Sequence, residues 1–94
     1  MTLIEFVEKL STAEDAHVIY AAPRWRPESA IHVGPEPFDG SLPDAARGMT
    51  YLVSIPEAKR VLRSRPAGTS ARDAARAIVY FGIYDCAEPV AIAV

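Results

Sequence analysis

Few side chains in this sequence are of a type that does chemistry, and their spacing limits what they can do. His17 and His32 are the two histidines. Both fall in segments patterned as strands, so pairing of those strands would make the rings neighbours. Zinc takes three or four protein ligands, and the spacing supplies no third. The reading adopted is a packed, hydrogen-bonded strand histidine in each case, with no metal. Cys86 is the single cysteine. It follows a helix end rather than preceding a helix start, so no local helix N-terminus lowers its pKa, and no Cys-His signature surrounds it. There is no Gly-x-Ser-x-Gly elbow, and the five glycines are scattered rather than gathered into a phosphate loop. Carboxylate pairs such as Glu5 and Glu8 belong to a solvated helix face. The pattern points away from an enzyme, and no cofactor is expected.

A different kind of chemistry is offered by Gly34–Asp44 (GPEPFDGSLPD), where three prolines accompany Glu36, Asp39, Asp44 and Phe38. Proline fixes φ and lowers the entropy lost when a loop is ordered. A stiff acidic loop with one aromatic is a surface for a basic partner. Trp25, between Arg24 and Arg26, is a second anchor candidate, because Trp and Arg concentrate binding energy at interfaces. Its indole has an alternative use, folding back to close the sheet edge. Lys59, Arg60, Arg63, Arg65, Arg72 and Arg76 form a basic set containing two like-charge pairs four residues apart, an arrangement that costs an isolated helix about 0.2–0.5 kcal/mol per pair. Helix C-terminal placement of Arg63 and Arg65, and pairing of Arg60 with Glu57, make a solvated face the preferred reading over a nucleic-acid surface. Tyr80 and Tyr84, one turn apart, read as aromatics at the edge of the core.

These residues must be positioned by a small fold. Ninety-four residues, half of them apolar, make one domain with a modest core. The net charge of −2 argues against a general nucleic-acid binder. Charge is unevenly spread, −5 over residues 1–57 and +3 over 58–94. A lone cysteine fits a reducing compartment. The start MTLIEFVEKL lacks the basic and continuous apolar regions of a signal peptide, and no apolar run approaches a membrane span, so a cytoplasmic location is expected.

Thr2 and Glu5 have capping-box spacing, with Leu3, Phe6, Val7 and Leu10 on one helical face behind them. Ala16–Ala22 is short, apolar and β-branched in its middle, a buried strand. Ala30–Val33 is a second strand and Thr50–Ile55 a third. Ser54-Ile55-Pro56-Glu57 starts a helix that runs to about Arg65. Pro66-Ala67-Gly68 breaks it. Thr69 or Ser70 caps a last helix that reaches about Tyr84, burying Ala71, Ala74, Ala75, Ile78 and Phe81. Val90–Val94, after Pro89, has two readings, an added edge strand or a segment that covers the core. The expected fold is α+β: a three- or four-stranded, mainly antiparallel sheet packed against about three helices, residues 1–94 forming one domain.

The run SIPEAKRVLRSRPAGTSARDAARAIVYFGIYDC, with Trp25 upstream, resembles a family of small bacterial proteins of uncharacterised function. Its shared marks are a strand at Tyr51–Ser54, a Pro56-Glu57 helix start, the Thr69–Ala75 segment and the aromatic Tyr80–Asp85 segment. Members look like orphan accessory proteins, some similar in size and setting to immunity proteins of toxin–immunity systems, and this chain would fit one from a contact-dependent growth inhibition system. The resemblance brings no catalytic residues. It implies a cognate toxin domain as partner; small size, acidity and the stiff acidic loop suit a toxin with cationic surface, such as a nuclease, bound through Trp25, Glu36, Phe38, Asp39 and Asp44. No membrane and no small-molecule ligand are expected. The alternative is a nucleic-acid-binding or regulatory module working through the Arg-rich C-terminal helices.

Overall fold

A computed structural model describes residues 1–85; Cys86 and the Val90–Val94 segment lie outside the described residues. The expected α+β architecture is present. Helix α1 (Leu3–Val7) leads through a 3-10 turn (Leu10–Thr12) into strand β1 (His17–Ala21), followed by β2 (Ile31–Pro35), a second 3-10 turn (Asp44–Ala46), β3 (Thr50–Ser54), α2 (Ile55–Arg63) and α3 (Ala71–Tyr84). The strands form one antiparallel sheet in the order β2-β1-β3.

Helix starts follow their caps. Thr2 and Glu5 satisfy each other's backbone N–H groups, and Ser54 and Glu57 do the same at α2, where Pro56 also sits in the first turn. Ser70 caps α3 by accepting the Asp73 N–H. The first helix is shorter than its apolar spacing predicts. Leu10 belongs to a 3-10 turn, entered where the Lys9 N–H bonds to the Phe6 carbonyl. Side chains three apart eclipse in 3-10 geometry, so Leu10 still reaches the core below Phe6 and Val7.

The strand pattern explains the layers. In β1, Ile19 and Ala21 face the helices, while Val18 and Tyr20 face the other way; all four are buried. The apolar run of β1 is therefore that of a central strand covered on both sides. The helical side holds the main core, with Leu3, Leu10, Ile19, Val53, Ile55 and Ile78 fully enclosed. A bulge between Ile19 and Tyr20 sets Ile19 opposite Val53 and Tyr20 opposite Tyr51. Leu52 is the extra residue, and the kink lets both Leu52 and Val53 stay buried in that core.

The second face is covered by the β2–β3 connection. Because β1 lies between β2 and β3, residues 36–49 must cross it. Ala46 and Met49 pack on Val18 and Tyr20 along the way. The second strand runs two residues further than its sequence predicts, to Pro35, so Gly34 and Pro35 are strand rather than loop. A Cβ on Gly34 would lie 3.1 Å from His32 Nε2, so the glycine leaves room for that imidazole.

Candidate partner-binding surface

The crossing segment begins at Glu36, immediately past β2. The Gly40 N–H bonds to the Pro37 carbonyl at 3.1 Å, closing a turn whose corner is Phe38-Asp39. Gly40 completes it with φ +72°, a conformation that costs glycine nothing. Asp39 Oδ1 accepts the Ser41 N–H at 2.9 Å, and this bonding holds the Asp39 carboxyl below its usual range. The turn is thus tied internally, and Phe38 at its corner is fully exposed, with Leu42 also reaching solvent. Glu36, Asp39 and Asp44 are all exposed on the same segment. Asp44 opens the 3-10 turn that carries Ala46 down onto the sheet. Four of the five residues expected to bind a partner therefore share one connection, and none of the four carries the core.

Trp25 lies elsewhere. It is half-buried against the main core, and its Nε1 donates to Thr50 Oγ1 at 3.1 Å. The indole closes the β1–β2 loop onto the first residue of β3. Of its two sequence-level uses, edge closure is the one in place here. Ser29 tightens the same loop, its Oγ accepting the Arg26 N–H and donating to the Arg24 carbonyl.

Under the crossing segment lies a row of rings, of which the sequence pointed to His32 but not to Tyr20 or Tyr51. Tyr20 stacks on His32 with centroids 6.2 Å apart and planes at 25°, and meets Tyr51 edge-on at 6.2 Å and 87°. Strand parity was the available signal: directly paired residues share a face, and Tyr20 pairs with both His32 and Tyr51. Burial, then Glu36, raises the Tyr20 pKa. Burial, then Glu57 and Glu36, raises that of Tyr51.

The histidines do not meet. His17 pairs with Pro35 and lies on the helical side, whereas His32 pairs with Tyr20 on the opposite face. His17 Nε2 sits 3.3 Å from Glu14 Oε2. No group of three or more metal-ligating side chains occurs among the described residues.

The basic set is divided among structural duties. Lys59 Nζ donates to the Ala13 carbonyl at 2.8 Å and to Asp15 Oδ1 at 2.6 Å, tying α2 to the turn before β1. Arg72 pairs with Glu28, joining α3 to the β1–β2 loop and lowering the Glu28 pKa through that bond. Glu57 is engaged with Ser54 rather than with Arg60. Tyr80 and Tyr84 pack together with their rings tilted at 45°, centroids 4.6 Å apart, with Tyr84 exposed. No helix among the described residues is long and apolar enough to cross a membrane. Comparison of the chain with family models, curated proteins and solved structures returned no match.

Proposed function

We propose that this protein is a cytoplasmic immunity protein that binds and neutralises a cognate bacterial toxin domain, such as a nuclease, through the acidic connection between β2 and β3. The observation that carries the reading is Phe38, fully exposed at the corner of an internally bonded turn, with Glu36 and Asp39 beside it and Asp44 further along. A large aromatic held in solvent by a tied turn loses little entropy on docking. Three exposed carboxylates around it complement a cationic surface, and a nuclease must present such a surface to phosphates. Two of the basic side chains that a nucleic-acid module would use, Lys59 and Arg72, are engaged with Asp15 and Glu28, which favours the acidic loop over the basic helices. Trp25 enters as support for the loop next to β3 and not as a contact.

The test is binding kinetics against the product of the gene immediately upstream, at low and high salt. Replacing Glu36, Asp39 and Asp44 by their amides should slow association about tenfold at low salt and flatten the salt dependence. Phe38→Ala should leave association unchanged and speed dissociation. Equal association of wild type and triple amide at both salt concentrations would remove the loop as the binding surface.

A further inference from the structure

The ring of Tyr51 lies in an unusual setting. It is 42% exposed at the β3 edge of the outer sheet face, braced edge-on by Tyr20. Ser54, on the same face by its pairing with Val18, holds the Glu57 carboxylate at this corner. Both bonds, at 3.0 and 2.8 Å, fall on Oε1, leaving Oε2 for another donor. Glu36 follows β2 directly and is exposed. Burial, then the fields of Glu57 and Glu36, raises the Tyr51 pKa, while a side-chain hydrogen bond with Ser54 lowers it. A partly exposed π face beside carboxylates attracts a positive group.

We infer that Tyr51, with Glu57 and Glu36, is a seat for an arginine or lysine side chain of the partner protein. This deepens the proposed function and rests on it for the partner's identity, but the seat itself has a recognition chemistry that can be read independently. The cation lies against the Tyr51 ring while Glu57 Oε2 accepts one of its N–H bonds. Guanidinium suits the seat better than ammonium, because its plane stacks on the ring while its edge bonds the carboxylate.

The experiment uses a fluorescently labelled hexa-arginine peptide and the full chain at low salt, read by anisotropy. Wild type should bind. Tyr51→Leu should weaken binding about three- to tenfold. Glu57→Gln should weaken it comparably while preserving the cap, because glutamine also serves at that position of a capping box. This second variant keeps the test valid if Tyr51→Leu disturbs the sheet. A hexa-lysine peptide should bind more weakly than hexa-arginine. Unchanged arginine binding in both variants, or failure of the wild type to bind, overturns the inference. A single-stranded RNA that binds wild type and is lost in Tyr51→Leu overturns it in favour of base stacking. The toxin measurement separates the two ideas. Peptide binding at Tyr51 without binding to the upstream product removes the immunity reading alone. Toxin binding lost only in the loop variants, with Tyr51→Leu and Glu57→Gln unaffected in both assays, removes the seat alone.

Discussion

Single residues decide where elements can approach. Gly82, in α3, is the clearest case. A Cβ there would collide with the Leu52 side chain and stand 3.2 Å from the Leu52 carbonyl oxygen. Alanine gains about 1 kcal/mol of helix propensity over glycine. Overpacking against a buried side chain and backbone costs about 1–3 kcal/mol, and Leu52 is only 3% exposed. Gly82→Ala should therefore destabilise the protein by up to about 2 kcal/mol, measured as a lower urea midpoint at unchanged m-value; a raised midpoint would mean that α3 does not press on β3 there. Much at this scale was legible. Phe38, Glu36, Asp39 and Asp44 are as exposed as their proline-rich context implies. Tyr51 was not, because its role depends on which residue of β1 it faces, and a bulge sets that register. Trp25 had two readings that only its bond to Thr50 separates.

Elements were legible where a local cap defines them. Ser54, Pro56 and Glu57 place the α2 start from sequence alone, since each satisfies or lacks a backbone donor within one turn. Ser54→Ala should cost about 0.5–2 kcal/mol. Thr2→Ala should cost less. Helix α1 has only five residues, and its first free N–H groups, on Leu3 and Ile4, already bond to the Ser29 and Pro27 carbonyls. Urea midpoints of the two variants check the order; equal losses would show that α1 depends on its cap as strongly as α2. Helix ends were less legible. The change from α to 3-10 before Leu10 preserves the apolar spacing, so the pattern does not report it. Strand pairing in the β1–β2 hairpin followed from its short loop. The place of β3 beside β1 did not, because nothing local specifies where a crossing connection lands.

At the scale of the molecule, acid pH should test the surface network. The Thr2 backbone and side chain lower the Glu5 pKa, the Arg72 bond lowers that of Glu28, and the Ser41 bonds lower that of Asp39. Each carboxyl has a folded pKa below its unfolded one, so its contribution is present above the unfolded value and disappears as pH falls through the folded value. Stability should stay nearly level from neutral pH to about 5 and fall below about 4. The tyrosines act oppositely. Tyr20 and Tyr51 have raised folded values, so their neutral forms support the fold below about pH 10 and that support is lost as pH rises beyond it. Urea midpoints across the pH range check both limbs, and a midpoint still level below about pH 4 would show that these three carboxyls bond equally well in the unfolded chain. The α+β class was legible because half the chain is apolar in patterns of two distinct periods. The two-sided cover of the sheet was implied by the run in β1, though the identity of the cover was not.

The strand order also has a consequence in time. A chain emerging from the ribosome completes the β1–β2 hairpin once residue 35 is free, across a short connection that closes in microseconds. The other edge of β1 stays bare until β3 has emerged through Ser54. During that interval the most apolar of the three described strands exposes unpaired N–H and C=O groups along one side, the condition in which strands pair with the wrong chain. The prolines of the crossing segment cannot donate to such a pairing, and its charges repel a second copy of themselves. The residues that face outward in the finished molecule thus emerge directly behind β2 as a segment poorly suited to strand pairing, while the bare edge of β1 still awaits β3.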